Sequence, residues 1–478
     1  MQDPYPELHL LIGGEPRKGG SRGSEDVLNP ATEGVLARLP HATAQDLDEA
    51  LAAAERGFAA WRAVPPQERG RIIKRAADLM RERAADLARI ATLESGKPLA
   101  ETRIEAAMSA DILEWYAEEG KRAYGRVLMS RAPGTRMSVR KEPVGPVAAF
   151  APWNFPLGNP ARKLGAAIAA GCSCILKPAE ETPASGLAVA QALLDAGVNS
   201  DAISVVFGVP DTISRHLLAS PIVRKLSFTG SVAVGKHLMK LAADSMKRTT
   251  MELGGHGPVL VFGDVDIERV LNESVAAKFR NAGQVCVSPT RFYVHESIHE
   301  RFAAGFAERA REWRVGDGLA DATQMGPLIH ARRREAIEAL VEDAEGQGCE
   351  VRAGGRRLNQ PGYFFQPTVL ANVPDNARIM NEEPFGPVAI VNPFSDTDAV
   401  IRAANRLPYG LAAFAFTRDL AIASRIGDAL EAGMVGINTF RISVPDSPFG
   451  GIKESGHGSE EGIEGLEACL VTKFVSEA

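Results

Sequence analysis

The sequence predicts an α/β protein built on parallel sheets, and three observations carry that expectation. Beyond Val139, short apolar runs alternate with helical stretches of about ten residues, the pattern of βαβ units. Apolar residues make up 45% of the chain and charged residues 24%, the balance of a protein with sizeable buried cores. Its 478 residues suffice for roughly two to three domains of ordinary size.

The elements follow in order. Thr43 and Asp46 make a capping-box-like start, after which Leu47, Leu51, Ala54, Phe58 and Trp61 share one helical face until Pro65 and Pro66. Two Ala-rich stretches, about 67–92 and 99–122, read as surface helices packed on a core. The run Val147–Phe150 opens the alternation and leads into a helix ending near Gly171. Then come the run Cys172–Leu176, a helix about 183–196, the run Ile203–Phe207 and a helix about 211–219. The run Lys225–Phe228 and a helix about 232–243 complete this part. From Thr250 a second α/β segment runs to about residue 440, through Val259–Phe262 and a helix about 266–279. Val127–Val139 and Ala468–Val475 are β-like and belong to neither segment. Detached strands of this kind commonly serve an interdomain or intersubunit contact.

Net charge is −6, so no global field draws the chain to nucleic acid or to an anionic membrane. Five cysteines are too few for a disulfide framework at this length, and reduced thiols in the cytoplasm are the simpler expectation. The start, MQDPYPELHL, has neither a basic nor an apolar region of an export signal. The longest uncharged stretch, between Glu142 and Arg162, holds five prolines and cannot be a membrane helix. No C-x-x-C is present, and no metal is expected.

Parallel sheets bind ligands beyond the carboxyl ends of their strands, which directs attention to the turns after each run. The dinucleotide fingerprint G-x-G-x-x-G is absent. Lys177-Pro178-Ala179-Glu180 puts a cation and an anion at one strand end. Thr229-Gly230-Ser231 puts small residues and a hydroxyl at a helix start, where backbone N–H groups can meet phosphate. Glu252 stands beside Gly254 and Gly255. Each turn alone is ordinary punctuation.

Together these segments resemble the aldehyde dehydrogenase superfamily over nearly the whole chain. The markers are PWNFP (152–156), KPAE (177–180), FTGS (228–231), MELGG (251–255), RNAGQVC (280–286), EEPFGP (382–387) and PFGGIKESG (448–456). The resemblance implies a Rossmann-like cofactor domain (1–122 and 140–252), an α/β catalytic domain (253–440) and a small β oligomerisation arm (123–139 and 462–478). It implies that Cys286 is the nucleophile: a thiolate makes the aldehyde carbon tetrahedral, hydride leaves, and a thioester remains. Asn154, with the backbone N–H of Cys286, would hold the oxyanion. Glu252 would activate the water that hydrolyses the thioester. Cys172, Cys174, Cys349 and Cys469 read as small buried hydrophobes.

For the cofactor, the resemblance places Lys177 and Glu180 on the adenosine ribose, Gly230 and Ser231 near the pyrophosphate, and Glu383 on the nicotinamide ribose. Phe385, Trp153 and Leu253 would line the same cleft. An ionised Glu180 accepts hydrogen bonds from ribose hydroxyls and repels a 2′-phosphate, so NAD is expected, with NADP as the alternative.

Within the family the chain looks most like the succinate-semialdehyde dehydrogenases. Arg162 and Arg280 match arginines that bind the substrate's far carboxylate there, and Ser443 matches a serine that helps. Two guanidinium groups in an apolar tunnel call for an anion. The rival explanation pairs both arginines with acids of the protein. Phe440 and Arg441 depart from the subfamily pattern and leave open a different or bulkier aldehyde, by narrowing or recharging the tunnel mouth. No second cysteine stands two residues from Cys286, so no redox switch of that type is expected. Coenzyme A acylation is disfavoured by Glu252, a non-catalytic scaffold by the intact Cys286, Glu252 and Asn154, and a cofactor-free esterase by Lys177, Glu180 and Glu383. A homodimer or homotetramer is the expected assembly.

Overall fold

Local sequence begins the architecture as expected. In the computed structural model, which describes residues 5–20 and 22–478, Thr43 caps helix Ala44–Trp61 through a reciprocal pair of contacts with Asp46. The stretch read as one helix over 67–92 is two, Pro66–Glu82 and Ala84–Ser95. Arg83 lies between them with φ −98° and ψ 9°, outside helical geometry. Gly96, with φ +76°, ends the second in the left-handed cap that glycine takes without strain.

The first sheet has eight strands. In spatial order they are Glu15–Arg17, Leu10–Ile12, Ile203–Val205, Cys174–Lys177, Val147–Phe150, Lys225–Gly230, Arg248–Leu253 and Gly456–His457. The five central ones run parallel and are buried on both faces, which explains their continuous apolar runs. The N-terminal strands carried no readable signal: Leu10–Ile12 and Glu15–Arg17 are three residues each, joined through Gly13 and Gly14. Both glycines have positive φ, as a tight hairpin requires.

The second sheet has seven strands in the order Glu350–Ala353, Thr368–Ala371, Val388–Phe394, Pro289–His295, Gly257–Val261, Ala412–Phe416 and Met434–Ile437. Strand Arg248–Leu253, read as the start of the second segment, pairs in the first sheet instead. The chain therefore crosses between sheets in the three residues Gly254–His256. Leu470–Glu477 pairs antiparallel with Arg136–Pro143, which pairs with Arg126–Leu128, as a separate three-stranded sheet. No helix among the described residues is long and apolar enough to cross a membrane.

A separate core lies against each large sheet. In the second, the fully buried Phe306 meets Phe279, Phe292 and Phe302 with ring centroids 5.2–6.0 Å apart. Phe306→Ala is expected to cost about 3–5 kcal/mol, since neighbouring rings cannot collapse onto the space. A lowered urea midpoint, with native secondary structure before the transition, checks this.

Candidate active site

Strand polarity builds the site. The first sheet points its carboxyl ends into a cleft of about 380 Å³, and the second sheet points its amino ends into the same space. The first supplies Trp153 and Asn154 after strand Val147–Phe150, Gly230 and Ser231 after Lys225–Gly230, and Glu252 and Leu253 at the end of Arg248–Leu253. The second supplies Cys286 just before Pro289–His295, and Glu383 and Phe385 just before Val388–Phe394. Searching only carboxyl ends would have found the first set and missed the second.

Gly254 is required by this convergence. A Cβ there would stand 2.3 Å from Glu383 Oε2. The Gly255 N–H donates to Glu383 Oε1 at 3.0 Å, and burial lifts that carboxyl to about 7. Phe385 takes the left-handed conformation (φ +45°) and packs its ring edge against Trp153, centroids 5.5 Å apart. Ser231, which lines the cleft, caps helix Val232–Ala243 by accepting from the Val234 N–H. Lys177 and Glu180 form an ion pair with each other.

The cleft thus fits the dinucleotide that the sequence implies. It is walled by the rings of Trp153 and Phe385, with the helix cap Ser231 at one part and the buried Glu383 carboxyl at another. His330, Arg332 and Arg333, at the start of helix Ala331–Gly346, also line it and were not anticipated. His330 packs edge-on to Trp153 at 6.3 Å. No motif distinguishes these residues; the fold alone brings them there.

The reactive groups are strongly perturbed. Burial pushes the Cys286 thiol up to about 12, with Glu252 and Glu383 adding to it and the Arg162 guanidinium opposing. Burial, reinforced by Glu460, holds Glu252 well above the usual carboxylate range, while Arg162 and Lys163 oppose. Neither Glu252 oxygen has a hydrogen-bond partner within the protein. The Asn154 side chain is held by both ends: its Oδ1 accepts from Asn159 at 3.2 Å, and its Nδ2 donates to the Gln284 carbonyl at 3.3 Å. An amide nitrogen has a second hydrogen, which remains for a ligand.

The two arginines differ from expectation. Arg162 is buried, yet it already has an anion: its Nε donates to Glu461 at 2.8 Å and its Nη2 to Ser443 at 3.1 Å. Its guanidinium also lies 4.3 Å over the Phe449 ring. Arg280 is exposed and lies 5.7 Å over the ring of Phe155. The premise of two unpaired charges in an apolar tunnel therefore fails for both. Phe440 is half-buried. Its ring packs on Phe414 and Phe416, centroids 4.9 Å away in each case, and Arg441 is exposed.

The unexpected acids follow from the fold. Arg162 and Lys163 are neighbours on helix Gly158–Ala170, and Glu460 and Glu461 are neighbours in the C-terminal loop. They pair in parallel, Arg162 with Glu461 and Lys163 with Glu460 at 2.5 Å, all buried. His256 is buried with its Nε2 2.8 Å from the Ile379 carbonyl oxygen, and burial keeps it neutral.

Comparison with known proteins agrees with this geometry. The model of the aldehyde dehydrogenase family matches residues 17–475. A putative 4-(hydroxymethyl)benzenesulfonate dehydrogenase, TsaD2, of Comamonas testosteroni is 50% identical over 469 residues, 98% of this chain and 97% of that protein. The NADP(+) succinate-semialdehyde dehydrogenase GabD of Escherichia coli K12 is 43% identical, covering 97% of this chain and 96% of its own. The crystal structure of a succinate-semialdehyde dehydrogenase from Burkholderia pseudomallei superposes with a TM-score of 0.97 at 42% identity, covering 100% of this chain and 99% of that one. The chain belongs to the aldehyde dehydrogenase family.

Proposed function

We propose that the protein oxidises an aldehyde bearing an anion at its far end, succinate semialdehyde or a close semialdehyde, to the acid with NAD. The observation that carries the chemistry is the convergence of Cys286, Asn154 and Glu252 on one cleft. The observation behind the substrate is the buried Arg162 with Ser443 at 3.1 Å. Glu461 takes the Nε edge of that guanidinium, so a substrate carboxylate would share it at the Nη end beside the hydroxyl.

The residues then act in sequence. Cys286 gives its proton to water and adds through sulfur to the aldehyde carbon, and the oxygen becomes an oxyanion facing the free Nδ2 hydrogen of Asn154. A bound NAD supplies the acceptor for the hydride that leaves this carbon. A thioester on Cys286 remains. Glu252 takes a proton from water, the resulting hydroxide attacks the thioester carbon, and the acid departs as the sulfur is released. A carboxyl held above its ordinary range by burial suits that role near neutral pH.

A second reading has a specific support. Arg162 lies 4.3 Å over the ring of Phe449, so a ring and a cation occur together beside Ser443. An aromatic aldehyde with an anionic substituent suits such walls, and half of the residues are shared with a relative named for a benzenesulfonate. Assembly into a homodimer or homotetramer through the three-stranded arm is supported by its almost wholly exposed Val127 and half-exposed Phe474. Free thiols throughout suit the cytoplasm.

Four measurements test this. With NADH absorbance as the readout, kcat/KM for succinate semialdehyde should exceed that for a neutral aldehyde of equal length by about tenfold, or about 1.4 kcal/mol. Arg162→Ala should remove that preference; equal rates for both aldehydes in the unaltered enzyme would overturn the anion. A higher kcat/KM for 4-formylbenzenesulfonate than for the semialdehyde would favour the second reading. Glu252→Gln should give a stoichiometric burst of NADH and then a steady rate reduced by about 10²-fold, because the thioester accumulates.

Two further outcomes concern cofactor and pH. NAD should be preferred to NADP, and Glu180→Ser should narrow the ratio by relieving repulsion of the 2′-phosphate. Since the Cys286 thiol stands near 12, its thiolate fraction in the cofactor-free enzyme rises with pH throughout the accessible range. Alkylation of Cys286 by iodoacetamide should therefore accelerate about tenfold per pH unit from neutrality upward. A plateau reached near neutral pH would contradict it.

A further inference from the structure

One helix touches both loops of the site. Lys97, just before helix Leu99–Glu119, is buried and ion-paired with Glu105 of that helix. Its Nζ also donates to the backbone carbonyl of Asn154 at 3.0 Å. Glu105 Oε1 accepts the N–H groups of Leu157 and Gly158 at 2.9 and 3.1 Å, fixing the other end of the same loop.

Glu101, one turn before Glu105, serves the opposite loop. Its two oxygens accept the Asn281 N–H at 3.0 and 3.2 Å. That N–H opens a left-handed turn in which Asn281, Ala282 and Gly283 have φ of 47°, 51° and 70°. For Asn and Ala this conformation is strained and persists only where surroundings impose it. Gln284-Val285-Cys286 follow directly. Asn281 Nδ2 in turn donates to the Asn154 carbonyl at 3.0 Å, the same oxygen that Lys97 holds. At the far end of this loop the buried Lys278 donates to Ser288 at 3.0 Å.

We infer that Lys97, Glu101 and Glu105 are positioning residues: through them one helix holds the loop of Asn154 and the strained turn before Cys286 in fixed relation. The inference rests on the roles proposed above for Asn154 and Cys286. Those two residues arrive from different sheets, so neither sheet alone fixes the separation of amide and thiol. Productive geometry tolerates errors of only about 0.5 Å. A shared third element removes the freedom that two independent loops would have.

The test uses the full-length enzyme. Glu101→Ala removes the acceptor for Asn281, and kcat should fall by about 10²-fold while KM for NAD is unchanged and the thermal midpoint shows a folded protein. Glu101→Gln keeps an acceptor oxygen and should stay within about threefold of the unaltered kcat. A merely structural role would lower the midpoint and leave kcat per folded molecule intact. If Glu101→Ala does not fold, Lys97→Arg retains the pair with Glu105 while displacing the donor from Asn154, and should lower kcat in the same selective way. Wild-type kcat in a folded Glu101→Ala, or equal losses in the Ala and Gln variants, would overturn the inference. Asn154→Ala is the control. If it retains full kcat, the proposed oxyanion role fails; if it is impaired while folded Glu101→Ala is not, only the positioning role fails.

Discussion

Burial of two groups whose charged forms it disfavours, the Cys286 thiol and the Glu252 carboxyl, is the constraint on which the site depends. A buried carboxyl without a partner costs about 1–3 kcal/mol of unmade hydrogen bonding. The protein keeps it because the cleft is formed by converging strand ends, where no backbone donor reaches the Glu252 oxygens. The segment that returns from the C-terminus closes over it: strand Gly456–His457 pairs with Arg248–Leu253, and a Cβ on Gly450 would lie 3.3 Å from Glu252 Oε1. The carboxyl therefore keeps its lone pairs for water or for the reacting atoms.

The same closure explains the four charges behind the cleft. Glu460 and Glu461 arrive with the C-terminal segment and meet Lys163 and Arg162 on a helix nearly 300 residues earlier. Buried pairs of this kind contribute little net stability, because desolvation offsets attraction, but loss of one partner is severe. Their effect on chemistry is more direct. Burial raises the Glu252 carboxyl first; Glu460 adds to the rise while Arg162 and Lys163 oppose it, so the quartet adjusts what burial imposes. Arg162 also opposes the rise of the Cys286 thiol.

Local rules made part of this visible in the sequence and long-range contact hid the rest. The Thr43–Asp46 cap, the buried parallel strands and the motifs around Cys286, Glu252 and Asn154 depend on residues close in sequence. The N-terminal strands failed because three residues carry no period. Arg162 was expected to lack an anion because Glu461 stands 299 positions away, where pattern reading offers no link. The contacts of Phe440 with Phe414 and Phe416 were hidden for the same reason: they exist only once strand Ala412–Phe416 is in its sheet.

This division also separates reaction from substrate. The proposed reaction needs a thiol, an amide and a base at one point, and their motifs are short because each sits at or beside a strand end. In the proposed function substrate choice rests on what lies behind that point, where Arg162, Ser443, Glu461 and Phe449 come from a helix and the C-terminal loop. Those residues contact one another, and Arg162 among them acts on the Cys286 thiol, so a single exchange there changes charge, shape and the pull on Cys286 together. Scaffold and chemistry can persist while the far end of the aldehyde varies. Identity to a relative therefore informs the first far more strongly than the second, and a pair such as Arg162 with Glu461 must be weighed as a unit before its guanidinium is assigned to any ligand.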